Sequence, residues 1–327
     1  MGFSILDELP KLLWLVIGLA AFAGVIGLLL LVVDRGPRAR RDWWQAAFFL
    51  GPAVLLLLLG LVYPALRTAW LSFFDGSGET WSGLDNYVWL FTQPEILIVL
   101  RNTLLWVVLA PVLATATGLV YAILVDRSRF ESVAKSLLFM PMAISFVGAG
   151  IIWRFVYAYR PAEADQIGLL NRVVVAFGGE PQQWLLNQPL NTLLLIVVLI
   201  WVQAGFAMVV LSAAIKAIPS EIVEAARIDG ANAWQLFRSV TLPSVWPTLT
   251  VVLITISVQT LKVFDIVRTM TGGQFDTSVI ANEMYNQAFR YGELGQGSAL
   301  AVFLFALVIP LVIVQMRTNR RVREQQA

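Results

Sequence analysis

Seven stretches of this chain come close to the 20 or so apolar residues that a helix needs to cross a hydrocarbon core. They are Leu12–Val33, Ala46–Val62, Thr103–Val125, Ser136–Val156, Leu193–Ile215, Thr248–Val263 and Ser298–Met316. The runs are continuous rather than alternating, so they read as helices; a membrane barrel needs period-two segments. The expected fold class is an all-α membrane protein with about seven transmembrane helices. Composition agrees. With 58% hydrophobic and only 13% charged residues, the chain lies far from the ~25% charge of soluble domains.

The chain has no Cys and no His. That excludes a Ser-His-Asp triad, thiol catalysis, c-type haem and structural zinc of the Cys/His kind. A net charge of +2 gives no basis for nucleic-acid binding. No catalytic or metal-ligating set is expected.

Lys and Arg orient the spans, because basic residues are retained on the cytoplasmic side. The segments after the first, third, fifth and seventh spans carry fourteen of them: Arg35, Arg38, Arg40, Arg41, Arg127, Arg129, Lys135, Lys216, Arg227, Arg238, Arg317, Arg320, Arg321 and Arg323. The opposite side carries seven. The N-terminus is therefore expected outside and the C-terminus in the cytoplasm. The first run is too long for a signal peptide, its N-terminal flank carries Asp7 and Glu8, and Arg-rich sequence follows it. Residues 1–44 read as an uncleaved helix and a basic linker, with Trp43 and Trp44 suited to the interfacial belt. Outer aromatics such as Trp81, Tyr87, Trp89 and Trp184 fit either interfacial anchoring or a docking face. The glycines of Leu71–Phe91 predict an ordered stretch that is not helical throughout.

Lys216–Pro247 is too polar to cross a bilayer and too regular to be a linker. Pro219-Ser220-Glu221 predicts a helix start, with Ser220 as cap and Glu221 near the positive end of the dipole. Two helical turns follow to Ile228, and Gly230 suits their C-terminal stop. Asn232 predicts a cap for a second short helix from Ala233 to about Val240, which Leu242-Pro243 ends. The small Ala225 and Ala226 beside Glu224 favour close approach by another protein over an amphipathic helix on lipid, which carries larger apolar residues and basic flanks.

Glu224-Ala225-Ala226, three residues, Gly230, nine residues, then Val240-Thr241-Leu242-Pro243 resembles the EAA loop of ABC importer permeases. The family's pattern ends I-x-L-P, and Val240 for Ile is the sole departure. Further stretches resemble permeases of the maltose type: Gly83-Leu84-Asp85-Asn86-Tyr87, Arg101-Asn102-Thr103 as a helix start, Phe139-Met140-Pro141, and Gly150-Ile151-Ile152-Trp153. Leu261–Val267, Thr271-Gly272-Gly273, Pro181–Leu185 and Gly295–Ala299 look most like the alpha-glucoside branch. The resemblance covers residues 45–327, with the loop at about 219–243. It implies a six-helix core, to which the first helix is an addition, and a cytoplasmic coupling helix.

The chain lacks a Gly-x-x-x-x-Gly-Lys-Ser/Thr run and so cannot cradle nucleotide phosphates in that way. The resemblance implies a separate dimeric cytoplasmic ATPase that binds ATP and Mg, a second homologous permease subunit, and an extracytoplasmic sugar-binding protein. These would work in a bacterial or archaeal cell membrane to take up a carbohydrate of alpha-glucoside type, such as maltose, trehalose or sucrose. It gives Glu224, Ala225, Ala226, Gly230, Leu242 and Pro243 the role of seating the ATPase. It places a sugar cavity at Met142, Phe146, Leu199, Val202, Gln203, Phe206, Gln259, Thr260 and Val263. Polar groups inside spans are expensive, so Gln203, Gln259, Thr260 and Lys262 call for a role, either in the cavity or in helix–helix hydrogen bonds. Asp265 has the spacing to pair with Lys262 or Arg268. The alternatives are a secondary sugar transporter driven by an ion gradient, for which no acid lies deep in a span, and a membrane enzyme, for which the acids are too scattered.

Overall fold

The computed structural model describes residues 14–27, 41–126 and 128–326. The chain divides into two compact units, Met1–Arg67 and Thr68–Ala327. In the first, Trp14–Gly27 form helix α1; the rest of the expected Leu12–Val33 span, and the basic linker up to Arg40, lie outside the described residues. Arg41–Leu57 form α2 and, after a wide turn at Leu58–Val62, Tyr63–Leu71 form α3, whose residues from Thr68 on fall in the second unit. Phe49–Leu71 is long and apolar enough to cross a membrane.

The second unit holds α4 (Asp85–Thr92), α5 (Pro94–Val125), α6 (Glu131–Phe139), α7 (Phe146–Val156), α8 (Leu169–Ala176) and α9 (Leu190–Lys216). It continues with α10 (Ser220–Ile228), α11 (Ala233–Leu236), α12 (Leu242–Leu261), α13 (Asp265–Met270), α14 (Ile280–Tyr285) and α15 (Leu294–Gln326). Among the described residues, five helices are apolar and long enough to span, or six if a bent pair is one span. No strand occurs among them, only an isolated antiparallel bridge between Phe74 and Trp81.

The structure corrects two boundaries. The helix expected to start at Arg101–Thr103 begins at Pro94. Proline suits the first helical position, where its missing N–H costs nothing, and Glu95 meets the positive end of the dipole. The continuous run Ser136–Val156 is instead two helices, α6 and α7, bent by 103°. Pro141 sits in a tight 3-10 turn, Met140–Ala143, and Ile144 is extended. Ser145 Oγ then accepts from Gly148 N at 3.1 Å and opens α7 as its cap. Apolarity alone could not reveal the break; the proline and the capping serine cause it.

α9 is the centre of this unit. Gly118 of α5 lies so close that a Cβ there would stand 2.4 Å from Ala207 Cβ and 2.7 Å from Met208 N. A Cβ on Gly205 of α9 would stand 2.4 Å from Leu138 O and 2.8 Å from Phe139 Cα. Small residues thus let three backbones meet, the usual way helices associate in lipid. One core cluster forms around Trp106, Leu195, Leu199, Val202 and Ile266, and a second around Ala114, Met208, Leu211 and Ile256.

The two ends of α9 are tied differently. At its C-terminal end, Lys135 pairs with Asp126 at 2.6 Å and Glu131 at 2.8 Å, Glu131 also pairs with Lys216, and Ser212 Oγ donates to Asp126 at 2.7 Å. This network joins the ends of α5, α6 and α9. At the N-terminal end, buried asparagines hold loop carbonyls. Asn191 Nδ2 donates to Phe275 O at 2.8 Å, and Asn102 Nδ2 to Asp276 O at 2.6 Å and Ser278 O at 3.0 Å. Thr103 Oγ1 accepts from Ile280 N at 3.0 Å. Beside them, Asn86 Nδ2 donates to Phe74 O at 2.6 Å, and Leu294 N to Gly76 O at 2.9 Å.

Gly118→Leu should force α5 from α9 and lower stability by about 1–3 kcal/mol or more, as overpacking does; thermal unfolding in detergent checks this, and an unchanged Tm refutes it. Asp75 Oδ1 accepts from the Ser77 hydroxyl at 2.7 Å and the Gly78 amide at 3.0 Å. The Ser77 hydroxyl above all, with the Thr80 and Glu79 amides, holds its carboxyl down at about 2. A depressed pKa gives support that is full above the unfolded value and lost as pH falls through the folded one. The Thr80 amide, which donates to this carboxylate at 3.3 Å, should therefore stay protected from hydrogen exchange at pH 4 and lose protection near pH 2.

Candidate functional site: the exposed loop and the buried glutamines

Between α9 and α12 the chain turns back through a capped helical loop. Pro219 takes the cap position of α10, and Ile222 N donates to its carbonyl at 3.2 Å. Ser220, expected as the cap, is the first helical residue, and its side chain caps nothing. The other end has both bonds of a Schellman stop: Ala231 N donates to Ala226 O at 3.0 Å and Gly230 N to Arg227 O at 3.1 Å. Gly230 has φ +83°, left-handed backbone that a side chain would strain. Asn232 then caps α11 in a full capping box with Gln235: its Oδ1 accepts from Gln235 N at 2.9 Å, while its own N donates to Gln235 Oε1 at 2.8 Å.

Leu242-Pro243 does not end the second helix. A wide turn at Phe237–Thr241 leads straight into α12, with Leu242 N donating to Phe237 O five residues back. The missing proline N–H and the bulk of its ring are absorbed where the spacing is already loosened. Helix therefore runs from Ala233 to Leu261.

Glu224, Ala225 and Gly230 are exposed, Ala226 and Leu242 half-buried, and Pro243 exposed. Two large apolar residues missed in the sequence stand beside them: Ile228 is 86% exposed and Trp234 65%. Trp234, next to the Asn232 cap, was the signal available. An apolar surface this open beside a charged one fits a protein partner.

The cavity candidates fall into distinct environments. Gln203 of α9 donates Nε2 to Gln259 Oε1 of α12 at 2.5 Å, while Gln203 Oε1 is buried with no partner. Thr260 is buried and bonds back to Ile256 O at 2.8 Å. Leu199, Val202 and Val263 are buried in one core cluster, with Phe146 packed against them. Phe206 packs against the other cluster. Met142 is partly exposed on the 3-10 turn at the bend, and Gln259 is half-buried. The helix ends at Leu261, so Val263 and the exposed Lys262 lie just past it. The expected ion pair of Asp265 does not form among the described residues. Arg268 instead donates to Asn286 Oδ1 at 3.0 Å and lies 4.7 Å over the Tyr285 ring. Among the described residues no group of three His, Cys, Asp or Glu could hold a metal.

Candidate spanning helices, a capped loop with open apolar side chains, and a polar pair between two spans fit one class, the membrane subunit of a transporter. Residues 96–324 match the family described as the binding-protein-dependent transport system inner membrane component, and the chain belongs to that family. It is 50% identical over 269 residues to the osmoprotective compounds uptake permease protein GgtC of Synechocystis, covering 82% of this chain and 96% of that one. It is 49% identical over 282 residues to the alpha-glucoside transport system permease protein AglF of Rhizobium meliloti, covering 86% and 83%. Its fold is that of a chain of a bacterial ABC transporter that imports alginate, with a TM-score of 0.71 at 23% identity, covering 87% of this chain and 96% of that one. The chain is thus the non-catalytic permease subunit of a binding-protein-dependent ABC importer, and the ATPase is a separate chain. Both alternatives, ion-gradient transporter and membrane enzyme, fall away.

Asn232→Ala removes the acceptor of the capping box and should cost about 1 kcal/mol locally. Hydrogen exchange of the Gln235 amide should quicken about fivefold, and an unchanged rate would refute the cap's role.

Proposed function

We propose that this subunit carries an uncharged carbohydrate of alpha-glucoside type, such as maltose, trehalose or sucrose, into the cell. The observation that carries this reading is the 49% identity to an alpha-glucoside permease over most of both chains. The Gln203–Gln259 pair supports it: amides held between two spans, the buried Gln203 with one oxygen unsatisfied, are groups a hydroxyl-rich ligand would engage. Around them we assign the cavity to Met142, Phe146, Leu199, Val202, Phe206, Thr260 and Val263, the packed ones opening when the helices part.

The excess of Lys and Arg on one side supports an N-terminus outside and a C-terminus in the cytoplasm of a bacterial or archaeal membrane. α10 then faces the cytoplasm, where the ATPase binds ATP and Mg. Glu224 pairs with a basic group of that ATPase, and Ala225 and Ala226 admit its surface closely. Gly230 fixes the turn, and Leu242 and Pro243 join the loop to α12. A binding protein delivers sugar from outside, and a second permease subunit completes the cavity. Residues 1–44 precede the permease core, which we assign to 45–327.

Uptake of labelled maltose, trehalose and sucrose, in cells with and without this chain, tests the substrate. Gly230→Pro and Glu224→Arg should each cut uptake by about 5- to 150-fold, the range of a 1–3 kcal/mol coupling, with normal amounts of protein in the membrane. Unchanged uptake in either variant would sink the coupling role.

A further inference from the structure

At the end of the bundle remote from α10, a cleft of about 490 Å³ opens between the first turns of α5 and the segment 272–291. It stands apart from the Gln203–Gln259 pair. Asn191, which holds its rim, precedes Gln203 on α9 by 12 residues, about 18 Å along a helix.

Two features of its construction point to a ligand. First, the rim is strained. Phe275 and Asp276 both have φ 57°, left-handed backbone that only glycine adopts freely. Asn191 and Asn102 pin their carbonyls from α9 and α5. Strain held in place by buried hydrogen bonds clusters at functional sites. Second, the lining mixes carboxylates (Glu95, Asp276, Glu283), amides (Gln274, Gln287, Asn286), the Arg290 guanidinium and the Tyr291 ring; Gln287 Nε2 already donates to Glu283 Oε1 at 2.8 Å, and Arg290 lies 5.9 Å from the centre of the Tyr291 ring. Among the described residues, none of these charged groups forms an ion pair.

That mixture selects one ligand chemistry. An anion would meet more carboxylates than cations. A metal ion would need converging acids, and no such group exists among the described residues. An apolar ligand would strand the amides and charges. An uncharged ring bearing many hydroxyls suits the groups left open: Glu95 and Asp276 accept from hydroxyls, Gln274 and the guanidinium donate, and the tyrosine offers a ring face. The volume lies within the range of small-molecule pockets.

We propose that this cleft is a second carbohydrate site, where sugar rests before it reaches the glutamine pair. This rests on the carbohydrate reading above. The absence of cysteine from the chain makes a direct test available. Gln287→Cys, on the cleft wall, and Glu79→Cys, exposed on the neighbouring turn, are introduced singly into the whole transporter in right-side-out vesicles. Modification of this chain by a membrane-impermeant maleimide is followed with and without maltose, trehalose or sucrose. A transported sugar should slow labelling at Gln287→Cys about fivefold at about four times its Kd, and leave Glu79→Cys unchanged. The protection should persist when Gln259→Leu is added. If a sugar that cells take up through this transporter gives no protection, the cleft site is overturned and the carbohydrate function stands. Protection by the binding protein alone, equal with and without sugar, marks a protein footprint and also overturns it. If no carbohydrate is taken up at all, the function proposed above falls, and this site with it.

Discussion

The close approach of three helix backbones at α9 governs this unit. Between helices in lipid there is little hydrophobic drive, so association rests on tight packing and hydrogen bonds. Gly118 admits α9 to α5, and Gly205 admits the end of α6 to α9. With those surfaces in contact, Gln203 is enclosed against Gln259, the 3-10 turn is seated beside α9, and the helix ends come near enough for the Asp126–Lys135–Glu131–Lys216 network.

Polar side chains are spent at three levels of the same helix. Asn191 at its start serves loop backbone, Gln203 in its middle bonds across to α12, and Ser212 near its end joins the ionic network. Each stands where water is scarce, so each acceptor needs a partner from the protein or from a ligand. The orphan Gln203 oxygen is the conspicuous exception in mid-helix. Asp126 Oδ2 is another buried oxygen without a partner, at the loop end.

Much of this was legible in the sequence. Long apolar runs gave the spanning helices, and the spacing from Glu224 to Pro243 gave the loop, because Gly230 and Asn232 are residue types tied to one local geometry. What stayed hidden depended on competition between signals. Ser136–Val156 is apolar but for Ser136, Ser145 and Arg154, and only Pro141 with Ser145 marks its break. Pro243 looks like a terminator until the wide turn before it is known. Asn102 looked like part of a helix start and is a clamp two turns inside one, a role fixed by Asp276 and Ser278, more than 170 residues away. The burial of Leu199, Val202 and Val263 likewise depends on which helix faces which, information that no local window holds.

The continuous helix from Ala233 to Leu261 has a mechanical consequence. Its 29 residues make a rod of about 43 Å. A tilt of about 10° at the loop end sweeps the far end through about 7 Å, more than the width of a sugar hydroxyl and its hydrogen bond together. Gln259 sits at that far end, two residues before the rod stops. A push that tilted the rod at the loop would therefore be felt at an amide inside the bundle. The regular ladder of this rod is interrupted at two places, the wide turn at Phe237–Thr241 and Pro247 inside α12, so the stiffness of those two places sets how much of such a push would arrive as motion at Gln259.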